Sequence, residues 1–256
     1  SHWMTFSGGG MSVLLVLRSF LFFAPGLGRR ARVLGWMGVA LLGASLLVSF
    51  TRSIWLATAA AALYLVWQWR KKWLLAAPVV AAAAPAAAPD AVQRRLGSMV
   101  SARGDNSASA RLIMWRTGWR MIQARPLVGV GPEQVGPQFP RFQPAEVREL
   151  PPAFYGHLHN LYIHYAAERG LPAVVALLWL LGKILWDHLR ALARKPALEA
   201  RFVLHAVVAV WIGVLVGGIF EVNLGDSEVL TMFLVVVSLG YAAIGREREA
   251  IVERVA

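Results

Sequence analysis

Long apolar blocks constrain the fold of this chain more than any other feature of its sequence. They cover residues 10–24, 33–50, 53–69, 73–89, 171–186, 202–220 and 229–244. A helix of about 16 to 22 apolar residues is near the length that crosses the roughly 30 Å hydrocarbon core of a bilayer. We therefore expect an all-α, polytopic transmembrane helix bundle with seven spans.

Composition supports a membrane location and removes several other classes of protein. The chain is 57% hydrophobic and 16% charged, which leaves too little polar surface to cover a water-soluble globule. The net charge of +12 is expected from basic loops beside anionic lipids, so nucleic acid is not an expected partner. Cysteine is absent, which excludes disulfides and thiolate chemistry.

The fourth block is the weakest span, and the chain start indicates a fragment of a longer protein. Residues 79–89 are rich in alanine and are flanked or interrupted by Pro78, Pro85 and Pro89, which favours a kinked or internally packed element. The first residue is Ser1, and no basic signal-peptide region follows it.

Basic residues in the short connections predict the orientation of the spans. Clusters at 29–32, 70–72, 190–201 and 246–254 should face the cytoplasm. Residues 2–8, 51–52, 90–158 and 221–228 then lie on the outer face. We expect three regions: N-terminal transmembrane helices at 1–89, a large outer loop at 90–158, and a C-terminal region at 159–256.

Within the outer loop, residues 107–125 read as an amphipathic helix that Pro126 ends. Leu112, Trp115, Trp119 and Ile122 recur at three- and four-residue steps and predict one apolar stripe. Arg111 falls at the edge of this stripe and should face the bundle, whereas Arg116 and Arg120 point further round, toward lipid headgroups. An interfacial helix that only anchors the loop is the alternative interpretation.

Residues 126–132 form a glycine-rich turn, Pro-Leu-Val-Gly-Val-Gly-Pro. Its glycines allow close approach of backbone and could present N–H groups to an anion, although a plain turn is the simpler interpretation. A nucleotide-binding loop is not supported, because no strand precedes the turn and no Lys-Ser/Thr follows it.

Three histidines, His157, His159 and His164, raise the question of a metal site. Metal binding would need further ligands, and the order of these histidines lacks the His-Glu-x-x-His spacing of a zinc hydrolase. We expect neither a metal nor another cofactor.

A longer pattern around these histidines resembles a known family. His159-Asn160, nine residues and then Gly170-Leu171-Pro172-Ala173 is similar to the His-(Asn/Ser/Gln)-x9-Gly-x-x-Gly signature of bacterial O-antigen ligases and O-antigen polymerases. Ala173 stands where that signature has its last glycine. Supporting matches are Thr51-Arg52-Ser53-x-Trp55, Arg111-x-x-x-Trp115 and Pro126-Leu127-x-Gly129-x-Gly131.

The resemblance implies a GT-C-like membrane glycosyltransferase in the bacterial inner membrane, with its active site facing the periplasm. Such an enzyme transfers a glycan from undecaprenyl diphosphate to lipid A core, another glycan or a protein, with inversion at the anomeric carbon. It also implies that Arg52, Arg111 and His159 line the reaction site. Guanidinium groups suit the leaving diphosphate because they stay charged and bind phosphate oxygens in a planar fork.

The role of His159 is left open among orienting the acceptor hydroxyl, taking its proton, and binding the diphosphate. Asn160, Arg116, Glu221 and Asp226 are candidates for substrate binding, although Asp226 is also typical of a helix cap.

A transporter or lipid flippase fragment is the competing class of protein. It is disfavoured because the polar residues gather on one face and no repeated half is visible. A noncatalytic scaffold would not need Arg52, Arg111 or His159.

Overall fold

The computed structural model describes residues 2–49, 51–76, 93, 106–153 and 155–255. In these ranges all regular secondary structure is helical. The α-helices are α1 (His2–Phe23), α2 (Arg29–Val48), α3 (Arg52–Trp69), α4 (Asn106–Ala124), α5 (Val135–Phe142), α6 (Leu161–Arg169), α7 (Leu171–Ala193), α8 (Leu198–Gly218) and α9 (Ser227–Val255). Short 3-10 helices lie at Lys71–Ala76 and Asn223–Gly225.

Five of the described helices are long and apolar enough to cross a membrane, which confirms an all-α, multi-pass membrane protein. The candidate spans are Phe6–Phe23, Arg29–Val48, Leu171–Ala193, Leu198–Gly218 and Ser227–Ala250. The third expected span forms α3, but α3 is not one of the five. Arg52, Gln68 and four aromatic side chains lower its mean hydropathy. Most of the fourth expected span, residues 77–89, falls outside the described residues.

The chain divides into two compact units. The first comprises Ser1–Leu96, Lys183–Gly217 and Asp226–Ala256, and the second comprises Gly97–Gly182 and Gly218–Gly225. The expected division into 1–89, 90–158 and 159–256 remains a prediction about organisation in the membrane.

In the first unit, α1 packs against α2, α3 and α9. Small residues allow the close approach of α1 and α2: a Cβ on Gly35 would lie 2.6 Å from the side chain of Leu21. Such small-residue contacts replace the hydrophobic driving force that is missing between helices in lipid. A hydrogen bond of 2.9 Å between Tyr64 Oη and His205 Nδ1 joins α3 to α8.

The second unit contains α4, α5, α6 and the beginning of α7 around one apolar core. Its buried members are Ala110, Met114, Met121, Ile122, Val130, Val135, Phe139, Leu158, Ala166, Ala167 and Val174. Gly118 of α4 is part of the packing surface, since a Cβ there would lie 2.5 Å from the side chain of Leu158. The loop between the two groups of candidate spans therefore has a folded core of its own.

Helix α4 forms as the pattern predicted, but it packs through a different face. Ile122 is buried as expected, whereas Leu112 and Trp119 are 57% and 58% exposed. These two side chains of the predicted stripe therefore lie outside the face through which α4 packs. The face that packs is lined instead by small, flexible or weakly polar residues, Ala110, Met114, Thr117, Gly118 and Met121. A hydrophobicity pattern misses such a face because alanine, glycine and threonine carry little apolar weight.

Candidate functional site

The side-chain amide of Asn160 caps the start of α6. Its Oδ1 accepts a hydrogen bond of 2.9 Å from the N–H of Ile163, which caps the helix. Its Nδ2 donates to the carbonyl oxygen of Ile219 at 2.8 Å. Asn160 is only 6% exposed, so both bonds are shielded from water. One side chain thus begins the helix and holds it against the connection that follows α8.

His159 precedes this cap in an unusual backbone conformation. Its φ of 45° lies in the left-handed region, which costs a residue with a Cβ on the order of 1–3 kcal/mol. The flanking contacts oppose that cost: Asn160 fixes the next residue, and His159 Nδ1 lies 2.9 Å from Glu221 Oε2. The side chains of His159 and Glu221 are 14% and 13% exposed. The two groups form a partly buried pair that retains access to solvent.

The protonation of Glu221 decides which nitrogen of His159 carries a proton. Burial raises the pKa of Glu221, but the hydrogen bond and charge of His159, together with His157 and the N–H of Val222, outweigh it. The net pKa lies below the ordinary value of 4.5. Glu221 is therefore a carboxylate at neutral pH and can only accept a hydrogen bond. In the neutral imidazole, Nδ1 of His159 must then donate, which leaves the lone pair on Nε2.

His157 lies on the other side of the same carboxylate. Its Nδ1 is 3.8 Å from Glu221 Oε1, and its ring centroid is 4.1 Å from that of His159. Burial, supported by the charge of His159 and opposed by that of Glu221, lowers the pKa of His157 to about 4. At neutral pH His157 is uncharged, so Glu221 can stabilise positive charge on His159 without a competing cation.

The turn at 126–131 lies against the end of α6. The N–H of Val130 donates to Ala167 at 2.8 Å, that of Gly131 to Glu168 at 3.0 Å, and that of Leu171 to Pro126 at 2.7 Å. The first two bonds satisfy carbonyl groups that the end of α6 leaves without partners, and the third gives a partner to the N–H of Leu171, the first residue of α7. Two sequence motifs that are 40 residues apart therefore meet, and the turn N–H groups bind protein rather than an anion. The plain-turn interpretation is the one that the geometry supports.

Two glycines make this contact possible. Gly129 has φ +67°, and a Cβ there would lie 2.4 Å from the carbonyl carbon of Glu168. Gly170, the first glycine of the signature, has φ +85°, and its Cβ would lie 2.2 Å from the carbonyl oxygen of Leu127. Ala173, which replaces the last glycine, is half-buried in the first turn of α7.

Glu168 strengthens the same junction with its side chain. Its Oε1 accepts from the N–H of Glu133 at 2.8 Å, and its Oε2 accepts from Arg169 Nε at 3.0 Å. His164, one turn earlier in α6, is buried, with Nε2 3.8 Å from Glu168 Oε1. Burial lowers the pKa of His164, although Glu168 opposes the shift.

The other predicted site residues lie on several elements. Arg111 is half-buried and lies between Gly118 and Ile122 around α4, at the edge of the packing face. Arg116 is exposed on the far side of the helix. Arg52 is the first residue of α3, and Asp226 directly precedes α9, where its carbonyl oxygen accepts from the N–H of Leu230. Arg52 and Asp226 belong to the first unit, and the remaining candidates to the second.

A comparison with protein families decides the identity of the chain. The family model described as O-antigen ligase matches residues 37–178, which is more than half of the sequence. The chain belongs to the O-antigen ligase family. The matched region contains Arg52, Arg111 and the whole His159–Ala173 signature, so the resemblance seen in the sequence is confirmed. Curated proteins compared with the chain gave no match.

Membership makes this chain an O-antigen ligase-like membrane enzyme with glycan and lipid-linked substrates as its general class. His159 and Glu221 were both predicted from the sequence as site residues, but their contact with each other was not predicted. They are 62 residues apart, and no local spacing signals such a contact. His157 was considered only as a potential metal ligand beside His159. The one available signal was topological, since 221–228 was expected on the same face as the loop 90–158, which ends next to His159.

Proposed function

We propose that this O-antigen ligase family member transfers a glycan from undecaprenyl diphosphate to an acceptor hydroxyl at the periplasmic face of the inner membrane. Ligation to lipid A core and polymerisation of repeat units are the two forms of this reaction, and they differ in the acceptor. The observation that carries the proposal is the 2.9 Å contact between His159 and Glu221 at the start of α6, the helix within the family signature.

His159 acts as the general base in this proposal. The lone pair on Nε2 accepts the proton of the acceptor hydroxyl as its oxygen attacks the anomeric carbon of the donor sugar. The bond from that carbon to the phosphate oxygen breaks, and undecaprenyl diphosphate leaves with the bonding electrons. Glu221 holds the imidazole in the required tautomer and stabilises the imidazolium that forms, as a carboxylate does in a catalytic triad. A positioned base contributes about 10²- to 10⁴-fold to the rate.

Arg52 and Arg111 bind the diphosphate of the donor in the same proposal. Negative charge grows on the phosphate oxygen as the sugar bond breaks, so fixed cations lower the barrier without a bound metal. Arg111 suits this role because it is half-buried on the packed side of α4. Arg116, Asn160 and Asp226 remain proposals for substrate binding. In the structure the amide of Asn160 is engaged on both sides, which favours a positioning role for it.

The proposal is tested with the purified full-length protein, undecaprenyl diphosphate-linked glycan and candidate acceptors, in the presence of a chelator. We expect transfer by the wild type, detected as a change in acceptor mass, and a loss of at least about 100-fold in Arg111→Ala and His159→Ala. Arg120→Ala is the matched control for Arg111, because Arg120 is exposed on the same helix. Wild-type rates in both site variants would contradict the proposed site.

The competing function of a transporter or flippase has its own outcome in this experiment. A protein that moves the lipid-linked glycan across a vesicle membrane, yet transfers nothing to any acceptor, would replace the transferase proposal. Product mass separates the remaining forms, since a polymerase lengthens the glycan by repeat units and a ligase joins it once to the acceptor.

A further inference from the structure

Two imidazoles and one carboxylate converge beside the start of α6. One ligating atom from each of His157, His159 and Glu221 lies within 4.8 Å of the other two. Within the part of the chain that the structure describes, no other three such side chains come together in this way. Of these three side chains, only His159 and Glu221 have a role in the proposed transfer reaction, which leaves the position of His157 unexplained.

We propose that His157, His159 and Glu221 bind one divalent cation of the zinc class, and that the bound cation switches off His159. The first half of this proposal concerns binding alone and is independent of the reaction. The second half rests on the proposed function.

The donor set selects the class of ion. Two imidazole nitrogens and one carboxylate oxygen are typical ligands of Zn²⁺, whereas Mg²⁺ and Ca²⁺ prefer oxygen ligands only. Three protein ligands leave the fourth tetrahedral position to water. With bonds of about 2.0–2.1 Å, ligand atoms around Zn²⁺ lie roughly 3.3 Å apart. The separations of the two histidines from the carboxylate lie on either side of that value, each measured to a different oxygen: His159 Nδ1 is 2.9 Å from Glu221 Oε2, and His157 Nδ1 is 3.8 Å from Glu221 Oε1.

The backbone around the three ligands is already held in place. Asn160 ties the segment that carries both histidines to Ile219, two residues before Glu221. The side chains of His157, His159 and Glu221 are 28%, 14% and 13% exposed, so an ion can enter but is largely shielded from water. Binding replaces the hydrogen bond between His159 and Glu221 and a long contact of 3.4 Å from the N–H of His159 to His157 Nδ1.

Occupation of this site changes the tautomer of His159. The ion takes the lone pair of Nδ1, which faces Glu221, and the remaining proton of the imidazole then lies on Nε2. Nε2 can no longer accept the proton of an acceptor hydroxyl, and Glu221 is no longer available to stabilise an imidazolium. Zinc therefore acts as a reversible inhibitor, and a chelator restores the active state.

Binding is measured first, by calorimetric titration of the full-length protein in detergent with Zn²⁺ alone, and with Mg²⁺ alone for comparison. We expect one Zn²⁺ per chain, no heat from Mg²⁺, and an affinity that falls by at least about 10-fold in His157→Gln and in Glu221→Gln. Glu228→Gln is the matched control, because Glu228 is an exposed carboxylate outside the cluster. Thermal unfolding confirms that each variant is folded. Absent binding, or equal affinity in all four proteins, would overturn the site.

Inhibition is then measured as glycan transfer with and without Zn²⁺. We expect Zn²⁺ to suppress transfer by the wild type and a chelator to restore it. His157→Gln should need at least about 10-fold more Zn²⁺ for the same fractional suppression of its own transfer rate. Full transfer by a zinc-loaded wild type would overturn the inhibitory half, as would transfer that requires Zn²⁺. If no protein transfers glycan, the proposed function fails, while the titration still decides the metal site.

Discussion

At the scale of single residues, the contact between His159 and Glu221 matters because it determines where protons reside. A carboxylate that can only accept a hydrogen bond places the proton of the neutral imidazole on Nδ1, and Nε2, the base in the proposed reaction, then faces away from Glu221. In this arrangement the φ of His159 is 45°, a conformation that is costly for histidine. Strain that neighbouring contacts maintain at one residue is common where a side chain must point in a set direction.

Glu221→Gln tests the positioning of His159 separately from its chemistry. Glutamine keeps the size of the side chain but can donate to Nδ1, which stabilises the wrong tautomer and removes the charge that supports the imidazolium. We expect kcat to fall by about 10²- to 10⁴-fold while KM for the donor changes little. Steady-state kinetics of glycan transfer measure both values. Glu228→Gln should retain wild-type kinetics, and a pure rise in KM would assign Glu221 to substrate binding instead.

The buried His164 makes the free energy of unfolding depend on pH. Burial holds its pKa below the ordinary value of 6.5, so the folded protein keeps His164 neutral while the unfolded chain takes up a proton. Its contribution is complete above about pH 6.5 and is lost as pH falls toward the lower folded pKa. We expect the Tm in detergent to drop between pH 7.5 and pH 5.5, and His164→Gln to show a smaller drop. Equal drops in the two proteins would contradict this assignment.

At the scale of elements, α6 is a short helix whose two ends are both completed by distant parts of the chain. Its first turn is capped by Asn160, which also bonds to Ile219, and its last carbonyl groups bond to the turn at 126–131. A helix of nine residues has little stability of its own. The contacts at its ends, and the core beneath it, therefore decide whether the site forms.

Alanine substitutions at glycines separate backbone strain from collision. Gly26→Ala places a Cβ at φ +64° in open space and should cost about 1–2 kcal/mol. Gly129→Ala and Gly170→Ala add a collision with backbone atoms at 2.4 Å and 2.2 Å, which costs about 1–3 kcal/mol more. In thermal unfolding in detergent, Gly26→Ala should have a higher Tm than either Gly129→Ala or Gly170→Ala. Similar Tm values for all three would show that the turn yields easily.

The sequence predicted these elements well and their contacts poorly. The end of α4 was predicted from Pro126, because a helix breaker acts locally. The face through which α4 packs was misjudged, since Leu112 and Trp119 outweigh Ala110 and Gly118 in any hydrophobicity pattern. The pairing of His159 with Glu221, and of the turn with Gly170, depends on segments brought together by the fold. A single sequence carries no spacing that reveals them.

At the scale of the whole molecule, the predicted orientation places the folded loop and the signature helix on one side of the membrane. Basic clusters at 29–32, 190–201 and 246–254 lie at the ends of candidate spans, as expected for cytoplasmic ends. In the proposed reaction, the donor has then already crossed the membrane when it reaches this site.

The absence of cysteine makes this orientation directly measurable, because single cysteines can be introduced without background. We expect a membrane-impermeant maleimide to label Gln134→Cys in spheroplasts and to label Lys195→Cys only after the membrane is broken. Both positions are exposed and lie outside the candidate spans, so a maleimide in the adjoining solvent can reach either one. The reverse pattern would place the signature helix in the cytoplasm and remove the periplasmic reaction. Labelling is read by the mass shift of the protein.

The turn at 126–131 completes a helix that begins 30 residues later, and this arrangement limits how the enzyme can be recombined. A chimaera that transplants only residues 159–173 into a related protein would carry the histidine and its cap but would bring a helix end fitted to a different turn. A working exchange has to move both segments together, with Gly129 and Gly170 matched to each other. The smallest interchangeable module of this protein therefore combines two segments that are separate in sequence, residues 126–131 and residues 159–173.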